Sequence, residues 1–184
     1  AQQNIVTNVL SRSGIHMITG GPGTGKSCLI HAIAAGYYSM HTTSAALCAQ
    51  SGKAASNLGS NGVTIHSLLR LPAGDYTKAQ LDKMTTAQVS AKLVVIDEFS
   101  MVDIKLFYML LKSIAPDTTL VLCGDTEQLS SVGEGNIMQD MITSGKFSLY
   151  RLTENFRQPE KKTLAKNIAH IRKGEMPASC DSMH

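Results

Sequence analysis

Apolar residues fall along this chain in short, nearly continuous runs rather than in strict alternation. The runs are IHMITG (15–20), SAALCA (44–49), LVVIDE (93–98), TLVLCG (119–124) and FSLYRL (147–152). A strand that is apolar on both sides is buried on both faces, as strands of a parallel sheet are. Between the runs the pattern turns helical. The clearest case is 103–114, where Ile104, Phe107, Leu110, Leu111 and Ile114 recur on one expected face, with Ser100 followed by Asp103 suited to the helix start. Alternating strands and helices predict an α/β fold whose ligand loops lie at the carboxyl ends of the strands. The polar stretch 71–90, with Pro72 and Gly74, reads as a loop holding one short helix. A last helix is expected from Pro159, with Leu164, Ile168 and Ile171 on one side, Gly174 after its end and Pro177 beyond.

Composition narrows the class. A chain of 184 residues, 43% hydrophobic and 17% charged, suits one globular domain with a tail. Its apolar runs fall well short of the ~20 residues that span a bilayer. AQQNIVTNVL lacks the basic start and apolar centre of a secretory signal. Cys28, Cys48, Cys123 and Cys180 form no CxxC pair and have no His at metal spacing, so a zinc site and a disulfide framework are both disfavoured and a reducing, cytoplasmic compartment is expected. The net charge of +3 is uneven: residues 151–173 carry seven basic side chains against Glu154 and Glu160. Such a segment can track a phosphate backbone or simply form a solvated helix face.

Three stretches carry chemistry. GGPGTGKS (20–27) fits G-x-x-x-x-G-K-[ST] directly after a predicted strand and before a helical pattern. Gly21, Gly23, Thr24 and Gly25 would present backbone N–H groups to phosphates at a helix N-terminus. Lys26 would reach the β- and γ-phosphates, and Ser27 a Mg²⁺ ion. LVVIDE places Asp97 and Glu98 at the end of a buried strand, where two carboxylates need a cation or water. Asp97 suits the Mg²⁺ role and Glu98 the polarisation of an attacking water. GDTEQLSSVGEG (124–135) should lie beside that strand, and Gln128 can both accept from a water and donate to a γ-phosphate.

Taken in order, GGPGTGKS, QSGKAASNL, TIHSLL, VVIDEFSMVD, GDTEQLSSVGEG and LTENFRQ resemble the nucleotide- and DNA-binding motifs of superfamily 1B DNA helicases of the RecD-like group, over nearly all of residues 2–177. The resemblance implies a P-loop NTPase of RecA-like fold, a mostly parallel sheet with helices on both faces, over residues 1–158. Residues 159–184 would be a helix and linker toward a second RecA-like motor domain. It also implies ATP and Mg²⁺ as ligands, with Gln2, or failing that Gln3, reading the adenine edge. Arg157 would reach the γ-phosphate, a task suited to a guanidinium. Ser51, Lys53, Thr64 and His66 would contact single-stranded DNA through its backbone, which gives affinity without sequence choice. The chain departs from the family at Gln50 and Ser51, which replace a Pro-Thr pair.

The expected function is therefore that of the N-terminal motor domain of an ATP-dependent DNA helicase, moving 5′ to 3′ by resemblance, alone or beside other subunits of a recombination or replication complex. One motor domain by itself is expected to bind nucleotide weakly and unwind nothing. The alternative is a non-catalytic RecA-like module that holds nucleotide or DNA. Retention of Lys26, Asp97, Glu98 and Gln128 weighs against it. A GTPase or small-molecule kinase would lack a use for QSGKAASNL and TIHSLL.

Overall fold

The computed structural model describes residues 2–43, 45–72, 74, 76–128 and 135–156. Arg157 and the helix expected from Pro159 lie outside the described residues. Six strands form one sheet: β1 (Ile15–Gly20), β2 (Ala46–Ala49), β3 (Val63–Thr64), β4 (Leu93–Asp97), β5 (Thr119–Gly124) and β6 (Ser148–Leu152), in the order β3-β2-β4-β5-β1-β6. Every pairing among them is parallel. The five apolar runs read from the sequence correspond to β1, β2, β4, β5 and β6. Only the two-residue β3 was too short to carry a signal.

Strand side chains alternate between two cores, as the pleat requires. Leu93 and Val95 of β4 join Ile18, Val121 and Cys123 on one face. That face is covered by α1 (Gln2–Ser11), α2 (Lys26–His41) and α3 (Gly52–Asn57), through residues such as Ile5, Val9, Ile30, Ile33 and Ala54. Val94 and Ile96 point to the other face, with Met17, Leu120 and Leu122. There α4 (Ile65–Leu69), α5 (Lys78–Lys83), α6 (Ile104–Ser113) and α7 (Ile137–Ser144) cover the sheet. The fold is thus the α/β P-loop arrangement with helices on both faces. The helix α1, unanticipated from the sequence, buries Ile5 and Val9 one turn apart.

Two local expectations are corrected. The inward face of α6 is Leu106, Phe107, Met109, Leu110 and Ser113, while Ile104 is 51% and Leu111 44% exposed. The expected face was thus rotated by about one residue, roughly 100°. IKLFYMLL is apolar nearly all round, so periodicity could not choose. The edge-on packing of Phe107 on buried Phe99, with centroids 5.2 Å apart, orients the helix. The N-cap is Asp103 alone, accepting from the Leu106 N–H at 2.8 Å. Ser100 sits buried in a 3-10 turn over Phe99–Met101.

The short helix expected in 71–90 is α5, started by a capping box in which Thr77 and Gln80 satisfy each other's backbone N–H groups.

Candidate nucleotide site and strand path

The carboxyl ends of β1, β4 and β5 open onto one cleft of about 370 Å³. Because β5 lies between β1 and β4, the loop after β1 and the acid pair after β4 face each other across the end of β5. Gly23, Gly25, Lys26, Ser27, Asp97, Glu98 and Gln128 all line this cleft.

The loop is built to receive an anion. Gly23 (φ +80°) and Gly25 (φ +87°) adopt the left-handed conformation that glycine takes without cost. Gly25 caps α2 and supplies no side-chain acceptor, so the first-turn N–H groups of α2 receive no capping side chain. The Lys26 ammonium is held at the loop's mouth, donating to the Gly20 carbonyl at 2.6 Å and the Gly21 carbonyl at 3.0 Å. Thr24 is buried and its hydroxyl donates to the Gly21 carbonyl at 2.9 Å, leaving only its backbone for a ligand.

The acids differ from one another. Asp97 is 8% exposed, and its pKa is raised by burial; the N–H of Glu98 pulls it down, the neighbouring Glu98 charge pushes it up, and Lys26 pulls it down. An Asp97 oxygen accepts from the Glu98 N–H at 2.9 Å. Glu98 is half-buried with φ +54°, a left-handed backbone that costs a non-glycine residue roughly 1–2 kcal/mol. Its Oε2 accepts from the Ser51 hydroxyl at 3.0 Å. Ser27 and Asp97 together fit magnesium, which takes few protein ligands and keeps waters and substrate oxygens for the rest. Among the described residues no cluster of three or more His, Cys, Asp or Glu could form an all-protein metal cage.

Gln128 is exposed on a turn whose N–H bonds the Asp125 carbonyl at 3.3 Å, while the 3%-exposed Asp125 carboxylate accepts from the Glu127 N–H. Gln2 donates its side-chain amide to the Thr24 carbonyl at 3.2 Å and lies against Gly25.

Sequence reasoning overlooked two neighbours of Arg157. Asn155 donates to the Pro22 carbonyl at 3.3 Å, and Phe156 donates its N–H to the Gly23 carbonyl at 2.9 Å. The Phe156 ring is 58% exposed and lies beside Gly25, across from Gln2. An exposed aromatic directly before the selected arginine was the available signal.

The residues expected to meet DNA share the adjoining end of the sheet. β2 pairs with β3 through Ala49 and Thr64, so Ser51 and Thr64 emerge side by side. Ser51 caps α3 by accepting from the Ala54 N–H, and Thr64 caps α4 by accepting from the Ser67 N–H. Lys53 is exposed on α3, and His66 is half-buried in α4. Ala54 and Asn57, on the same short helix as Lys53, line the nucleotide cleft. A second cleft of about 280 Å³ lies at the opposite strand ends, bordered by the exposed Lys92–Asp117 ion pair, remote from this chemistry.

Sheet order, loop and acid pair define a P-loop NTPase domain of RecA-like build. The chain belongs to the AAA domain family, which it matches over residues 1–184, and within it is a superfamily 1B, RecD-like helicase domain. It is 30% identical over 181 residues to the ATP-dependent RecD2 DNA helicase of Deinococcus radiodurans, covering 96% of this chain and 24% of that protein. It is 29% identical over 167 residues to the RecBCD enzyme subunit RecD of Mycolicibacterium smegmatis, covering 77% of this chain and 30% of that protein. The solved Pif1 helicase from Candida albicans superposes with a TM-score of 0.74 at 27% identity, over 96% of this chain and 44% of that one. The chain therefore spans less than half of each relative. No described helix is long and apolar enough to cross a membrane.

Proposed function

We propose that this chain is the N-terminal motor domain of an ATP-dependent DNA helicase, coupling ATP hydrolysis to translocation on single-stranded DNA in the 5′ to 3′ direction. The observation that carries the reading is the convergence of Lys26, Asp97, Glu98 and Gln128 on one cleft whose wall, α3, also bears Ser51 and Lys53.

In this reading the loop N–H groups hold the triphosphate, and Lys26 exchanges its two carbonyl partners for β- and γ-phosphate oxygens. Phe156 supplies a face for the base, with Gln2 at the edge. Ser27 and Asp97 would hold Mg²⁺, which when bound would supply positive charge to offset that of the phosphates. Glu98 orients a water and takes its proton as the water oxygen bonds to the γ-phosphorus and the bond to ADP breaks. Gln128 contacts the γ-phosphate, and Arg157 offsets its charge. Closure of a second RecA-like domain over the cleft, and its reopening after hydrolysis, would change which domain grips the strand.

Ser51, Lys53, Thr64 and His66 give that grip without reading sequence. A relative named as a RecBCD subunit supports further subunits of a recombination or replication complex as partners. The free Cys28, Cys48 and Cys123 fit a reducing cytoplasm.

The test is phosphate release by the complete gene product with and without oligothymidylate. Strong stimulation by the oligonucleotide is expected. A rate indifferent to DNA, or tight nucleotide binding without turnover, would return the reading to a non-catalytic module.

A further inference from the structure

The cleft of about 280 Å³ at the amino ends of the strands has no part in the nucleotide chemistry, yet the ends of four elements build it. The chain leaves α1 at Ser11 and Arg12 and leaves α2 at His41, while Lys92 stands just before β4 and Asp117 shortly before β5. β4 and β5 are parallel neighbours in the register Leu93 to Thr119, so Lys92 and Asp117 meet in an ion pair of 2.7 Å. Buried Val9 and Leu93 close the floor, and half-buried Leu10 and Tyr37 form the walls. Arg12 and His41 are exposed on the rim, the His41 ring lying against Tyr37 with centroids 4.5 Å apart. Among the described residues no acid pairs with Arg12.

We propose that this cleft docks an acidic peptide segment of a partner protein, one apolar side chain entering between Leu10 and Tyr37 and the flanking carboxylates meeting Arg12 and Lys92. The attraction of cations to helix carboxyl ends accounts for Arg12 and His41 standing there, but not for an apolar concavity beneath them. A rim of cationic donors over an apolar floor is the complement of a leucine-like side chain set among carboxylates. The Arg12 guanidinium suits a carboxylate, which it can hold through two parallel bonds. Asp117 selects in the same direction. A carboxylate at the rim can accept from a peptide N–H, whereas a nucleic acid backbone brings it only acceptors and negative charge. Pockets for whole small molecules begin at about 300 Å³, so this one takes one or two side chains of a longer segment. Leu93 and Asp97 stand at opposite ends of β4, roughly 13 Å apart at about 3.3 Å per residue, so peptide and nucleotide can be held together. Nothing in this docking depends on the motor reading.

The experiment is fluorescence anisotropy of the fluorescein-labelled peptide Glu-Asp-Leu-Leu-Asp-Glu with the complete gene product. Saturable binding with a Kd of about 100 μM or below is expected at low salt, weakening as salt screens the rim. Replacing both leucines of the peptide by serine should raise Kd roughly tenfold or more, the scale set by burying one leucine side chain. Arg12→Glu, at an exposed position after the end of α1, should raise it by a similar factor, and Arg12→Lys, which keeps the charge but not the fork, by less. ATP turnover and the thermal midpoint of Arg12→Glu should match wild type. Binding still unsaturated at about 1 mM peptide, equal binding of the serine peptide, or a Kd indifferent to Arg12→Glu overturns the docking site. An Arg12→Glu protein that loses affinity for labelled oligothymidylate as strongly as for the peptide would give the cleft to nucleic acid instead and overturns it too. Each of these outcomes leaves the motor reading intact.

Discussion

Phe156 donates its backbone N–H to the Gly23 carbonyl at 2.9 Å, which fastens the strand leaving β6 to the phosphate loop. With Asn155 bonded to Pro22 alongside, the exit of β6 forms one wall of the nucleotide cleft. An aromatic ring left 58% exposed in such a place has a face to offer. Stacking of a base on an aromatic ring contributes about 1–3 kcal/mol. Phe156→Ala should therefore raise the dissociation constant for ATP between about 5-fold and 150-fold. Binding of inorganic tripolyphosphate, which has no base, should change little. Calorimetric titration of both ligands checks this, and an equal loss for both would mean that the ring supports the loop rather than the base.

Asp97 makes the site unfavourable to its own fold. Burial raises its pKa above the ordinary 3.8, so the folded protein holds this proton more tightly than the unfolded chain does. Folding is then favoured by this group at low pH. That contribution disappears as pH climbs from 3.8 through the raised value, leaving a charged carboxylate in a poor solvent at neutral pH. Asp97→Asn removes the charge at nearly constant shape. Its melting temperature at pH 7 should equal or exceed that of wild type, and the difference should shrink as pH approaches 3.8. Its Mg²⁺-dependent turnover should fall by roughly 100-fold or more, the scale seen when one preorganised electrostatic contact is lost. Thermal melts across pH, read beside phosphate release, test both halves. A neutral-pH melting temperature well below wild type would show that burial is not the dominant influence on Asp97.

The central strands were legible because burial on both faces forces continuous apolar composition, and the phosphate loop because its chemistry requires glycine, lysine and serine at fixed spacing. Nothing comparable marks α1, whose QQNIVTNVLS shows only two deeply buried positions. Nor could periodicity orient α6, where tertiary packing against Phe99 decided among several apolar stripes. The bond from Ser51 to Glu98 spans 47 positions and depends on strand register, which one sequence does not reveal. Thr24 was expected to offer only its backbone N–H, and the motif gave no sign that its hydroxyl would turn back onto the loop's own Gly21 carbonyl.

Gly62 couples the proposed strand path to the core. It carries no unusual backbone angle, but a Cβ there would stand 2.1 Å from the Ala55 carbonyl oxygen and 2.8 Å from Leu58 Cβ. The loop leaving α3 must therefore pass directly against that helix to reach β3. Backbone cannot move aside as a flexible side chain can, so Gly62→Ala has to displace α3 or β3. Overpacking of this kind costs about 1–3 kcal/mol. Denaturant melts should show that loss. Because α3 carries Ser51 and Lys53, affinity for oligothymidylate should fall along with it. Full DNA affinity in a destabilised Gly62→Ala protein would separate α3 from the strand path.

Among the described cysteines, reactivity should divide sharply by position. Cys48 and Cys123 are fully buried, and burial pushes the Cys48 thiol up to about 12 and Cys123 higher still, with the Asp97 charge adding to the rise at Cys123. Neither supplies the thiolate that an alkylating reagent needs. Cys28 is exposed, follows Ser27 in the first turn of α2 and lines the nucleotide cleft. In a Cys180→Ser background, a maleimide at pH 8 should therefore modify Cys28 and leave the other two until the protein is unfolded. A bound triphosphate and its Mg²⁺ would lie between Lys26, Ser27 and Asp97 and would close the approach to the thiol one residue on. ATP with Mg²⁺ at saturating concentration should slow the modification by about tenfold or more, as occupancy of a site suppresses reactions that require its free form. Single-stranded DNA alone should protect far less, since Ser51 and Lys53, though borne on the α3 wall, do not themselves line the cleft. Mass spectrometry of timed samples gives the site and the rate together. Protection by DNA as strong as that by nucleotide would mean that the two ligands share one groove.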